Sequence, residues 1–137
     1  MNEIYLEIIS PSKTVFQGQV SSITVPGSLG NFQILKNHAP LVSTLEIGEL
    51  NIKIDEKFQY FAISGGTIEI NNNKVLILAD SVENVDEIDL NRANNSKQRA
   101  EERLARKNID KEIDVLRAQV SLARAINRIN LKEKHSK

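Results

Sequence analysis

The sequence predicts an α+β protein in which an antiparallel β-sandwich of about ten strands precedes an antiparallel hairpin of two helices. Every glycine, proline, phenylalanine and tyrosine lies before Val85, and every arginine lies after it. Short apolar segments separated by turn residues are typical of strands, whereas a long stretch without Gly or Pro favours helices. This partition predicts two domains, residues 1–84 and residues 85–137.

Alternation of apolar and polar residues predicts the strands. Residues 4–9 and residues 50–54 each alternate with period two, which is typical of a strand with one buried face. Hairpin turns are expected at residues 55–57 and 71–73, where Asp and Asn tolerate positive φ. The Ser-Gly-Gly sequence at 64–66 is interpreted as a further corner.

Two helices are expected after the boundary. Helix one is predicted to start at Asp86 and to end near Lys107, and Asp110 is predicted to cap helix two. Residues 132–137 are expected to fray. Five alanines would let the two helices approach closely: Ala93, Ala100, Ala118, Ala123 and Ala125.

Charge is balanced overall but separated along the chain. Residues 1–84 carry five lysines against nine acidic residues, and residues 85–137 carry thirteen basic against nine acidic residues. A net charge near +4 on the helical part fits an acidic or anionic partner, but it is too small for general nucleic-acid binding without aromatic residues. No run of apolar residues approaches the length of a membrane span, so the chain is expected to be soluble.

Nothing in the sequence indicates catalysis or a metal site. There is no cysteine, and His38 has no second histidine or acidic cluster near it, which favours a turn or contact residue over a ligand. No serine stands in a nucleophile elbow. Gly65-Gly66 lacks the lysine and the glycine spacing of a phosphate loop.

The arginines are the group of residues in this sequence that could form a binding site. Four on helix one and three on helix two are spaced so that each set shares a side of its helix: Arg92, Arg99, Arg103, Arg106, Arg117, Arg124 and Arg128. They can form a solvated face with i,i+4 pairs, or an anion site in which guanidinium groups from both helices chelate phosphate oxygens.

Residues 25–50, VPGSLGNFQILKNHAPLVSTLEIGEL, carry a specific resemblance. This stretch resembles the signature of the ε subunit of F-type ATP synthase, with its Gly, Ile-Leu, His-Ala-Pro-Leu and Gly-x-Leu elements. The resemblance continues through Ser64-Gly65-Gly66 and the helical hairpin, and so covers essentially the whole chain. It implies a β-sandwich of about ten strands followed by two helices.

The resemblance implies a non-catalytic central-stalk subunit that couples the γ subunit to the c-ring of Fo during proton-driven ATP synthesis. The sandwich would dock on γ and on the ring, with Asn31 and His38 in the contacting segments. The chain would associate with a membrane only through the complex, on the cytoplasmic face of a bacterial cell membrane or alternatively on the stromal face of a plastid thylakoid.

The resemblance further implies a regulatory hairpin that can bind ATP and, when extended, meets an acidic loop of the β subunits and inhibits ATP hydrolysis. ATP would be a regulatory ligand; no cofactor is required. The family's nucleotide pattern is matched on helix one apart from Ser96. The implied ATP-binding residues are Glu83, Ile88, Asp89, Arg92, Arg99, Arg124 and Arg128. Glu83 would accept from the adenine amino group, and Asp89 would orient an arginine, a ribose or a base donor.

Two other functions stay open at this point. A free-standing ATP sensor would bind nucleotide outside a rotary complex. A helical-hairpin adaptor would bind apolar clients through Leu116, Val120 and Ile126.

Overall fold

The computed structural model describes residues 1–110 and 112–136. A β unit, Met1–Val85, precedes a helical unit that begins at Asp86. The strands are β1 (Ile4–Ile9), β2 (Thr14–Val20), β3 (Ser22–Gly27), β4 (Gly30–Ile34), β5 (Leu41–Ile54), β6 (Lys57–Asn71), β7 (Lys74–Ala79) and β8 (Val82–Asn84). A 3-10 turn, Val85–Glu87, leads to helices α1 (Leu90–Ala105) and α2 (Val115–Lys134).

The strands pair in the order β2-β1-β7-β6-β5-β3-β4, with β8 on β6. Every pairing is antiparallel except that of β1 with β7, which is parallel. β5 and β6 are the long central strands: β6 pairs with β7 over one half and with β8 over the other. The sandwich predicted as antiparallel therefore contains one parallel pair.

The described residues contain eight strands where about ten were expected, because β5 and β6 each absorb two predicted strands. The corner predicted at residues 64–66 is wrong. Gly65 and Gly66 adopt φ values of 75° and 139°, yet Gly66 still pairs with Leu45 on one side and Ala79 on the other. Glycine at positive φ bends β6 here without ending its ladder of hydrogen bonds.

The core lies within the β unit and follows the predicted alternation. Ile4, Leu6 and Ile8 of β1 are at most 1% exposed. Leu50 and Ile52 of β5 join the same apolar cluster. Fully burying such a side chain stabilises a fold by about 1.5–3 kcal/mol. The predicted hairpin turns are also present, with Asp55 and Glu56 at positive φ between β5 and β6 and two asparagines at positive φ between β6 and β7.

α1 begins later than predicted. Asp89, with φ −86° and ψ 108°, is its N-cap, and the Asp89 side chain accepts a hydrogen bond from the backbone N–H of Arg92 at 3.1 Å. Asp86 instead lies in the 3-10 turn, and Ile88 between them is buried. The prediction of a helix starting at Asp86 is wrong, because residues 85–87 form a separate 3-10 turn and α1 begins only after the Asp89 cap.

α2 is capped by Asp114, whose side chain accepts from the Arg117 N–H at 3.0 Å. The predicted cap, Asp110, accepts from the Glu112 N–H within the connector instead. The fraying expected from residue 132 is wrong as far as Lys134, where α2 ends. Lys137, the last residue of that predicted tail, lies outside the described residues.

α1 and α2 pack on each other in an antiparallel hairpin. The Lys132 side chain, near the end of α2, donates to the Asp86 carbonyl at 3.2 Å, so the end of α2 lies beside the start of the unit. Four of the five predicted contact alanines are buried: Ala93, Ala100, Ala118 and Ala125. They are called the alanine seam below. Ala123 is exposed instead.

Candidate functional site

Arginines from both helices line a single cleft of about 490 Å³, called the arginine cleft below. Guanidinium groups are charged at any physiological pH and offer five N–H donors each. With three arginines and one carboxylate, the lining is net positive and rich in donors, which suits a phosphorylated or other anionic ligand. The lining residues are Arg92, Asn95, Ser96, Gln98, Arg99, Glu102 and Arg128.

The cleft is assembled by helical spacing on α1. Ser96 follows Arg92 by four residues and precedes Arg99 by three, so all three side chains lie on one face of the helix. The Asp89 cap fixes the first turn, which carries Arg92. The Arg99 guanidinium donates to the Ser96 hydroxyl oxygen at 3.3 Å. Arg128 completes the cleft from α2.

The cleft brings together three of the residues implied in ATP binding, Arg92, Arg99 and Arg128. The other four do not line it. Ile88 is 4% exposed and Asp89 serves as a cap. Arg124 is exposed one turn before Arg128 on α2, and Glu83 lies in β8 of the β unit. Their roles in binding ATP stay predictions.

Three polar residues of the cleft are not among the site residues predicted from the sequence: Asn95, Gln98 and Glu102. Asn95 and Glu102 follow Arg92 and Arg99 by three residues each, and Gln98 lies beside Arg99. Helical neighbours of a candidate arginine at three- or four-residue spacing are the signal that would have found Asn95 and Glu102. Amide groups there can donate to a ligand as well as accept from it.

A second cleft of about 560 Å³ lies beside the connector between α1 and α2 and shares Arg99 and Glu102 with the first. Its lining contains four arginines and four acidic residues. Positive and negative side chains therefore balance there, and the arginine cleft is the better anion site.

In the β unit, Asn31 lies at the start of a strand and His38 lies in a loop. Asn31 is exposed near the start of β4, next to the turn that joins β3 and β4. His38 lies in the loop between β4 and β5, called the His38 loop below, and its Nδ1 is 2.7 Å from the Ala39 carbonyl oxygen. The two predicted contact residues therefore lie on different structural elements of the β unit.

The His38 loop is tied to the rest of the β unit by polar contacts. The Asn37 backbone N–H donates to the side-chain oxygen of Asn73 in the β6–β7 turn at 2.6 Å, and the Asn37 side-chain oxygen accepts from the Asn73 side-chain amide at 3.1 Å. Lys36 forms an ion pair with Glu3 at 2.5 Å. The hydrogen bond from Lys36 is the main cause that lowers the pKa of the Glu3 carboxyl, and the positive charge of Lys36 lowers it further. These contacts hold the loop in a defined conformation.

Among residues 1–110 and 112–136, no cluster of three or more His, Asp or Glu side chains is arranged to hold a metal ion. Of the described helices, neither is long and apolar enough to cross a bilayer.

The fold and the arginine cleft define the class of this protein: a β-sandwich followed by a helical hairpin that carries an arginine-lined cleft. Two family models match it in turn. The ATP synthase delta/epsilon chain β-sandwich domain matches residues 3–85, and the long alpha-helix domain of the same chain matches residues 86–133. The chain belongs to the ATP synthase epsilon chain family. The predicted fold class is thereby confirmed.

Relatives match over nearly their whole length. The ATP synthase epsilon chain of Desulforamulus reducens is 44% identical over 93% of this chain and 96% of its own. That of Desulfitobacterium hafniense is 42% identical over 91% and 92%. A chain of the Euglena gracilis mitochondrial ATP synthase has the same fold, with a TM-score of 0.74 and 21% identity over 90% of this chain and 77% of its own.

Proposed function

We propose that this protein is a non-catalytic central-stalk subunit that links the γ subunit to the c-ring of a rotary ATP synthase during proton-driven ATP synthesis. Identity of 44% to an epsilon chain over almost all of both sequences supports this assignment. Association with the membrane would be peripheral and would depend on the complex, on the cytoplasmic face of a bacterial membrane or alternatively the stromal face of a thylakoid.

We further propose that the helical hairpin binds ATP. The observation that carries this proposal is the convergence of Arg92, Arg99 and Arg128 on one cleft. Three like charges in one volume repel one another, and a polyphosphate relieves that repulsion while accepting several charge-assisted hydrogen bonds. A ligand that binds only the closed hairpin stabilises it by about 2.7 kcal/mol at a hundred times its Kd.

The remaining implied residues have different parts in this proposal. The Asp89 carboxylate acts on the ligand through Arg92, because it caps the turn that carries that arginine. Arg124 adds positive charge one turn from Arg128. Ile88 contributes an apolar support, since its side chain is buried. Glu83 is proposed to accept from the adenine amino group.

The β unit supplies the docking surfaces in the proposal. Because Asn31 lies at the start of β4 and His38 in the loop after that strand, we propose that they serve different partners, the c-ring and γ. Leu29 at the tip beside Asn31 is fully exposed, and an exposed apolar side chain at a turn suits a contact with another subunit. The hydrogen bond and the ion pair of the His38 loop would fix its conformation before a partner binds, which lowers the entropic cost of binding.

Calorimetric titration of the full chain with ATP tests the nucleotide proposal. Arg92→Ala, Arg99→Ala and Arg128→Ala should each weaken binding by about tenfold or more, since a hydrogen bond to a charged group is worth about 1.5–3 kcal/mol. Arg117→Ala is the matched control, because Arg117 is an arginine that lines only the neighbouring cleft. Absence of heat at millimolar ATP with the parent protein would refute nucleotide binding.

A helical-hairpin adaptor is the second candidate, and one observation favours it. Leu116 on α2 is 70% exposed and Ile126 is 37% exposed, so α2 offers apolar contacts to a partner. Copurification with γ separates the candidates: recovery of a γ complex supports the stalk subunit, whereas a free protein that captures apolar peptides through Leu116 supports the adaptor. A free protein that binds only ATP would be the sensor.

A further inference from the structure

Ser96 is the one residue of α1 that departs from the nucleotide pattern of the family that this chain resembles. Its side chain lines the arginine cleft. Its hydroxyl oxygen accepts a hydrogen bond from Arg99 Nη2 at 3.3 Å. An alanine at this position would have no atom to accept that bond. The side chain that distinguishes this chain is thus in contact with an arginine of the proposed ligand site.

We propose that Ser96 is a positioning residue that holds the Arg99 guanidinium in the cleft, oriented to receive a polyphosphate. The inference rests on the proposed nucleotide site and goes beyond it, because it assigns a role to a side chain that the pattern does not include. Arg99 keeps four of its five N–H donors for a ligand when one is engaged by Ser96.

The effect on affinity follows from side-chain entropy. A long arginine side chain that is exposed, as Arg99 is, loses rotamer freedom when a ligand immobilises it. That ordering weakens binding by about two- to tenfold per side chain. A hydrogen bond that restricts Arg99 beforehand reduces the loss on binding, so Ser96 should strengthen the affinity for a polyphosphate by a factor in this range.

Arg103 provides an internal comparison. It lies one turn after Arg99 on α1, and within the described residues its guanidinium makes no hydrogen bond or ion pair. If Ser96 restrains Arg99, the Arg99 Nε–H group should be more ordered than that of Arg103 in the protein without ligand. This comparison depends on no bound nucleotide.

The test combines NMR relaxation of the arginine Nε–H groups with titration of ATP and of inorganic tripolyphosphate, using the full chain. Ser96→Ala should lower the Arg99 order parameter to that of Arg103 and weaken both ligands by about two- to tenfold. Ser96→Thr should preserve both properties, since it keeps the hydroxyl. In an Arg99→Ala background, Ser96→Ala should have no further effect on binding.

If Ser96 served only to stabilise the fold, Ser96→Ala would lower the melting temperature of the unliganded protein. We expect that melting temperature to be unchanged or slightly raised instead, because alanine has the higher helix propensity. An Arg99 order parameter unchanged by Ser96→Ala, or a binding loss that persists in the Arg99→Ala background, would overturn the inference. A parent protein that binds neither ligand would refute the nucleotide proposal, while the relaxation comparison would still decide whether Ser96 positions Arg99.

Discussion

Replacing Gly66 by alanine should damage the β unit more than the same replacement at Gly30. Gly66 has φ 139° and Gly30 has φ 121°, a backbone region that L-residues avoid at a cost of about 1–3 kcal/mol. The surroundings differ. A Cβ on Gly66 would lie 2.3 Å from the Leu78 carbonyl oxygen, whereas a Cβ on Gly30 would meet nothing within 4 Å.

The clash at Gly66 is with backbone that β7 holds in the sheet, so it cannot be relieved by a rotamer change. Overpacking of this kind costs about 1–3 kcal/mol, which gives roughly 2–6 kcal/mol for Gly66→Ala against about 1–3 kcal/mol for Gly30→Ala. In a unit of this size 1 kcal/mol lowers the melting temperature by about 4–8 °C.

Thermal unfolding of the two variants, followed by far-UV circular dichroism, measures the difference directly. Gly66→Ala should melt at least about 4 °C below Gly30→Ala. Equal melting temperatures would show that β6 and β7 can separate locally at no cost, and would refute the explanation given for the bend at Gly66.

Three further predictions concern the β unit, its ion pair and the basic face of α2. A chain ending at Val85 should unfold cooperatively, because its apolar core lies wholly within β1–β8; a non-cooperative melt would contradict this. Lys36→Met should raise the pKa of Glu3 toward its ordinary value, as measured by a carboxyl NMR titration, and an unchanged pKa would contradict the ion pair. Since the folded-state pKa of Glu3 is lowered, the stabilisation is present above the ordinary pKa of Glu and is lost as the pH falls through the lowered value. The last prediction concerns the arginines of α2: Arg117, Arg124 and Arg128. If the hairpin is inhibitory, as the family resemblance implies, opposite charges would hold it to the acidic loop of the β subunits, so replacing all three by alanine should raise ATP hydrolysis by the assembled complex at low salt; unchanged hydrolysis would count against such a contact.

The sequence predicted those parts of the fold that depend on local pattern. Alternation along residues 4–9 and 50–54 placed the buried side chains of β1 and β5 correctly, and asparagine and aspartate at positive φ marked the hairpin turns. These features are set by neighbouring residues, which is why a single sequence reveals them.

The features that the sequence did not predict depend on contacts between distant residues. Asp86 and Asp89 are both acceptable caps from the sequence, but in the fold Asp89 caps α1, whereas Asp86 lies in a 3-10 turn and its carbonyl accepts from the distant Lys132 side chain. A glycine pair can end a strand or bend it, and the pairing of Gly66 on both sides decides for a bend. For the site, helical spacing grouped the arginines of each helix, but the antiparallel packing of α1 and α2 selected Arg128 rather than Arg124 to line the cleft.

The alanine seam sets an energy scale for separating the two helices. Its four members are at most 2% exposed, and each offers only a methyl group, worth about 0.8 kcal/mol when removed from water. Together they contribute about 3 kcal/mol, close to the roughly 2.7 kcal/mol that a ligand supplies at a hundred times its Kd. Larger side chains at the seam would raise the cost of opening well above that amount. With methyl groups there, the proposed ligand at a hundred times its Kd would change the ratio of closed to open hairpin by about a hundredfold, a shift as large as the contribution of the seam itself.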